Sequence, residues 1–252
     1  MSLAALLIVA ATVLFTSFLS GIFGMAGGMI LLGVLLVALD VPSAMVLWGV
    51  TQLASNGWRA ILWRNHVTWP IVLFYLVGAA ITFTIMRFIA YVPDKATVYI
   101  LVGLLPIAAD RLKVGGHLDM TRPFVAVGAG LFVMLMQLVA GAAGAVLDIF
   151  FQKSSLGRKG IVSTKAVTQT VAHLLRTIYF GTIASAADVI LPLWTYAGSI
   201  ALAMTGTTLA GIVLHRMSDD GFRKWSRVVI LSISAVSVLR GLILLLEIAT
   251  SG

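Results

Sequence analysis

Long apolar runs alternate with short polar interruptions along this chain, and the interruptions recur. Apolar segments cover about residues 3–39, 43–63, 69–91, 96–112, 123–151, 161–183, 189–214 and 228–248. A helix needs about 20 mainly apolar residues to cross a bilayer, so the pattern predicts an all-α integral membrane protein. The first segment is too long for one span. It is interrupted by Gly21-Ile22-Phe23-Gly24-Met25-Ala26-Gly27-Gly28. The fifth is interrupted at the same relative place by Gly141-Ala142-Ala143-Gly144.

A polar stripe also appears twice. Thr51-Gln52-x3-Asn56-x2-Arg59 recurs as Thr168-Gln169-x3-His173-x2-Arg176. Gln, Asn or His, and Arg fall at i, i+4 and i+7, one face of a helix. The glycines recur at an offset of 120 and the stripes at 117, and Met86-Arg87 and His215-Arg216 end matching segments. The reading is an internal duplication: residues 1–112 form one four-segment repeat, 113–122 a polar linker and 123–252 a second repeat. The first helix of each is expected to break at its glycines.

Charge sets the expected orientation. If segments one and five are hairpins, each repeat has an odd number of spans and the repeats are inverted. One side then collects Arg64, Arg111, Lys113, Arg122, Lys153, Arg158, Lys159, Arg216, Arg223, Lys224 and Arg227; the other keeps Arg87 and Lys95. That split obeys the positive-inside rule better than the parallel arrangement, which divides the basic residues more evenly. Inverted repeats are therefore the expectation, with both termini outside.

Composition agrees with a membrane location. Only 10% of residues are charged, against about 25% in soluble domains, and the mean hydropathy is +1.08. The net charge of +8 comes from Lys and Arg scattered at segment ends. That fits anchoring to an acidic lipid bilayer rather than nucleic-acid binding. There are no Cys residues, which excludes a Cys-based metal or heme site. No metal-ligand cluster, Walker loop or nucleophile elbow is visible, so no cofactor and no enzyme chemistry is expected. The Trp and Tyr residues read as interface anchors.

The candidate chemistry lies in the breaks and stripes. Irregular backbone at membrane depth is tolerated where it lines a cavity. Half-helices starting near Gly28 or Gly144 would turn N–H groups toward an anion, and Gly24 and Gly27 belong to the same break. Close helix packing is the other reading. Arg59 and Arg176 carry permanent charge and either face a cavity or snorkel to an interface. Gln52, Gln169 and Asn56, with Thr51 and Thr168 on the stripes, either hold a polar anion or bond helix to helix. His173 either couples transport to protons or makes a structural hydrogen bond. Asp148 needs a cation in such a place, and Lys165, four residues before Gln169, is the expected partner. That pair reads first as a structural lock, with a gate or proton site as alternatives. From the residues alone, the chain is a transporter or channel with a cationic, polar centre.

The run Ser20 to Met29, together with Ser163-Thr164-Lys165-Ala166-Val167-Thr168-Gln169 continuing through His173 and Arg176 to Ile178-Tyr179-Phe180-Gly181, resembles the TauE/SafE sulfite exporter family, also called the toluene sulfonate uptake permease family. The second glycine signature departs from it, with Leu147-Asp148 where Gly27-Gly28 would align. The resemblance implies a multi-pass protein of the bacterial inner membrane. It would carry sulfite or small organosulfonate anions, most often outward, by alternating access. Arg59 and Arg176 would supply charge to one shared anion site, and Gln52, Asn56, Gln169 and His173 would bond the anion's oxygens. Proton coupling would fall to His173, then Asp148. An anion channel and, behind it, a membrane-embedded enzyme remain the alternatives.

Overall fold

A computed structural model describes residues 3–23, 26–111, 118–141, 143–151, 154, 156, 158–186, 191–214 and 219–251. Among residues singled out above, Gly24, Met25, Lys113, Ala142, Lys153, His215 and Arg216 lie outside the described residues. Among the described residues the chain is all helical, without strands: α1 (Leu3–Phe23), α2 (Ala26–Ala38), α3 (Val41–Leu62), a 3-10 turn at Arg64–His66, α4 (Trp69–Ile89), α5 (Lys95–Arg111), α6 (Pro123–Val139), α7 (Gly144–Phe151), α8 (Arg158–Ala186), α9 (Leu193–Leu214) and α10 (Asp219–Ser251). The first and fifth apolar segments each hold two helices, divided at the glycines.

Among the described residues, three helical stretches are long and apolar enough to cross a membrane: Trp69–Ile89, Leu193–Val213 and Val228–Thr250. The outside of the molecule is correspondingly apolar. On α4, Leu73, Val77, Ile81, Ile85 and Phe88 form an exposed stripe at helical spacing. The inside mixes Leu31, Leu32, Leu35, Leu36, Met45 and Leu47 with buried Thr51, Gln52, Ser55, Asn56, Gln137, His173 and Arg176. Apolar residues outside and polar residues within is the distribution lipid favours.

Local signals end the helices where the sequence supplies them. Asp40 caps α3 by accepting from the Ser43 N–H at 2.9 Å, with a proline in the first turn. Asp94 precedes α5 and accepts from the Thr97 N–H at 2.8 Å and the Thr97 hydroxyl at 2.6 Å.

Four helix pairs carry most of the packing: α1 with α9, α4 with α6, α3 with α8, and α5 with α10. Small residues let the backbones approach. A Cβ on Gly78 would overlap the Val127 carbonyl, and one on Gly130 the Tyr75 carbonyl. Contact order gives directions. Gly103 faces Ser234 and Val238 while Gly241 faces Ile100 and Ala96, so α5 and α10 run antiparallel. Gly21 faces Thr207 and Ala210 while Gly206 faces Leu14 to Phe18, so α1 and α9 run parallel.

Candidate functional site

The two polar stripes lie on α3 and α8, which pack against each other. Gly49 faces His173 and Thr177, and Gly57 faces Thr170. Rising numbers on α3 therefore meet falling numbers on α8, and the pair is antiparallel. Equivalent residues are consequently sent to opposite ends of the crossing. Arg176 reaches Met45 and Trp48 on α3, whereas Arg59 lies eleven positions beyond Trp48. At 1.5 Å per residue that is about 16 Å along the helix. Each arginine thus stands at its own glycine break, Arg59 at Ser20 and Arg176 at Gly141.

Arg176 stands at the α6–α7 break and is 0% exposed. Its guanidinium donates to the Gly141 carbonyl and to the Met45 sulfur. Gly141 has φ +81, the left-handed region where a glycine costs nothing, and this turn presents its carbonyl to the cation. The guanidinium carbon lies 3.9 Å from the Trp48 ring centroid, a cation–π distance. Trp48 is fixed in turn, with Nε1 donating to the Gly28 carbonyl at 2.6 Å and its ring edge-on to His173 at 4.8 Å. The Arg176 Nε–H is buried and has no hydrogen-bond partner among the described residues. Among the described residues the ion pairs are Lys165–Asp148 and Arg240–Glu247, so no described carboxylate neutralises Arg176.

Arg59 stands at the α1–α2 break and donates to the Ser20 carbonyl at 3.0 Å. Gly27 and Gly28 lie in the first turn of α2. A Cβ on Gly27 would overlap the Thr16 carbonyl, and one on Gly28 the Gln52 amide. Gln52 is 6% exposed and packs against Gly28. Asn56 donates to the Gln52 backbone carbonyl at 3.0 Å. Lys165 and Asp148 form an ion pair, with side chains 25% and 42% exposed. Arg59 is close enough for its charge to act on Lys165.

Thr51 and Thr168 spend their hydroxyl protons on the Leu47 and Lys165 carbonyls of their own helices. Gln169 is half-buried on α8. Gly144 begins α7.

Two residues of this cluster escaped the sequence reading. Trp48, counted among the interface anchors, is 2% exposed and forms the floor beneath Arg176. It lies four residues before Gln52, on the face of the stripe, and that spacing was the available signal. Gln137 on α6 is 4% exposed; it bonds His173 Nδ1 at 2.8 Å and the Ala143 N–H at 3.2 Å. A lone amide four residues before a glycine break was its signal.

No protein-family model matches this chain, and neither a curated protein nor a solved structure matches it. The resemblance to the sulfite exporter family rests on the quoted motifs and their order.

Proposed function

We propose that this chain is a secondary membrane transporter of small oxyanions, with the anion held beside Arg176. The observation that carries this reading is the state of that guanidinium. It is fully buried, has no described carboxylate partner, and its Nε–H has no hydrogen-bond partner among the described residues. A buried cation is stable only when paired or solvated, and a bound anion would supply the pairing. The motif resemblance narrows the anion to sulfite or a small organosulfonate, and favours export.

The helix pairing supports two inverted repeats. Exchanging α1 with α6, α2 with α7, α3 with α8, α4 with α9 and α5 with α10 maps α1·α9 onto α4·α6 and leaves α3·α8 and α5·α10 unchanged. The two self-paired helices run antiparallel, as equivalent helices of inverted repeats do. Rocking one repeat against the other gives alternating access.

The test is anion flux and binding in proteoliposomes, with sulfite, a small sulfonate, sulfate and a carboxylate. Arg176→Gln protein that stays folded yet binds the anion unchanged overturns the reading. Thermal unfolding must accompany binding, because Arg176 also caps the Gly141 carbonyl. Saturable flux separates the transporter from an anion channel.

A further inference from the structure

Gln137 fixes the protonation of His173 by donor and acceptor logic alone. The Ala143 backbone N–H can only donate, so the Gln137 atom facing it at 3.2 Å is the side-chain oxygen. The amide therefore has one orientation, and its NH2 group faces His173 Nδ1 at 2.8 Å. An NH2 group donates, so Nδ1 presents its lone pair. The ring proton then sits on Nε2, and the ring is neutral. Adding a proton at Nδ1 would set two N–H groups against each other. Turning Gln137 over would only move the conflict, setting its NH2 against the Ala143 N–H. One amide thus ties the backbone of the α6–α7 break to the state of the imidazole.

Charges on the surrounding elements do not relieve this. Helices and turns packed against α8 carry Arg59 on α3, Arg64 and His66 on the 3-10 turn, Arg87 on α4 and Asp148 on α7. Asp148 is engaged by Lys165, on α8 itself. Arg176, three residues away on α8, is itself a cation and brings no negative charge to the ring.

We infer that Gln137 is a positioning residue that holds His173 as a fixed neutral Nε2–H donor. With Nδ1 taken by Gln137, Nε2–H is the donor the ring can offer to a ligand. Such a site selects an oxyanion in its deprotonated form and exchanges no proton with it through His173. The ligand half of this inference rests on the transport reading; the tautomer does not.

The test uses the full-length protein in lipid bilayers. Nitrogen-15 histidine spectra, with His173 assigned by its loss in His173→Gln, should show an Nε2–H ring unchanged from about pH 5 to 8. Gln137→Glu keeps an acceptor for Ala143 and turns the donor facing His173 into an acceptor. In that variant the proton should appear on Nδ1, and the ring should become doubly protonated within the same range. Binding of a sulfonate, which stays ionised throughout, should be flat with pH in the wild type. In Gln137→Glu it should weaken by about tenfold as the ring loses its second proton. Gln137→Met, which removes both bonds, should let the ring proton move between Nδ1 and Nε2 and serves if Gln137→Glu fails to fold. A wild-type ring that titrates in this range, or carries its proton on Nδ1, overturns the inference whether or not an anion binds. A fixed Nε2–H ring in a folded protein that binds no anion overturns the transport reading instead.

Discussion

At the α1–α2 break Arg59 donates to the Ser20 carbonyl, and at the α6–α7 break Arg176 donates to the Gly141 carbonyl. Under the offset of 120 between the two glycine interruptions, Ser20 and Gly141 stand one position apart. Both arginines therefore meet carbonyls released where α1 or α6 stops, the end at which a helix is negatively polarised. The side chains around the two breaks then diverge. The first has Gly28 bonded to Trp48; the second has Asp148 bonded to Lys165 at the equivalent positions, 28 plus 120 and 48 plus 117. Because α3 and α8 are antiparallel, Trp48 lies under Arg176 and Lys165 lies near Arg59. One end of the crossing holds a lone cation on an aromatic face. The other holds two cations and a carboxylate. The two broken helices end in the same way, while their surroundings differ: an aromatic face under one cation, an ion pair beside the other.

The sharpest way to break this comparison is to make the first break resemble the second. Gly27→Leu copies Leu147, but the side chain would start inside the Thr16 carbonyl. Overpacking against backbone should cost about 3 kcal/mol or more, seen as loss of folded protein by size-exclusion chromatography. Ready accommodation would mean that the two breaks are interchangeable.

Exchange of the arginines comes next. Arg176→Gln should weaken anion binding roughly ten- to a hundredfold, on about 1.5–3 kcal/mol for a charged hydrogen bond. Arg59→Gln should leave it nearly unchanged, because Arg59 lies eleven positions along α3 from Trp48, which packs on Arg176. Equal losses, measured by calorimetric titration, would remove the asymmetry.

The ion pair should show smaller effects. Asp148→Ala leaves Lys165 beside Arg59 with no carboxylate, and adding Lys165→Met should recover stability. The recovery should be about 1 kcal/mol, discounted because Asp148 is more than a third exposed. A double variant no more stable than the single one in thermal unfolding would show that Lys165 needs no partner.

A control lies outside both breaks. The Thr97 hydroxyl, and then the Thr97 N–H, hold the Asp94 carboxyl below its ordinary value. Stability from this cap is present above the ordinary carboxylate value and is lost as pH falls through the lowered one. Asp94→Asn should flatten that acid-side loss. For so exposed a group the change should be at most about 0.5 kcal/mol, and anion binding should not change. A shift in anion binding would tie this loop to the site.

Where the helices lie and where they break was legible in the pattern of the chain. Apolar runs and glycine interruptions are local, and in lipid every backbone group must be satisfied within its own helix or by a nearby partner. The spacing of Gln52, Asn56 and Arg59, repeated at Gln169, His173 and Arg176, likewise put each set on one helix face. Only the tertiary structure decided which faces meet. Matched spacing led to one shared site for both arginines, yet an antiparallel crossing carries equivalent residues away from each other. No periodicity within a segment records that direction, because it arises from packing between segments far apart in the chain. The same holds for Trp48 and Gln137. Their roles come from a cation on α8 and a backbone N–H beyond Gly141, partners that enter reach only when α3, α6 and α8 are packed together.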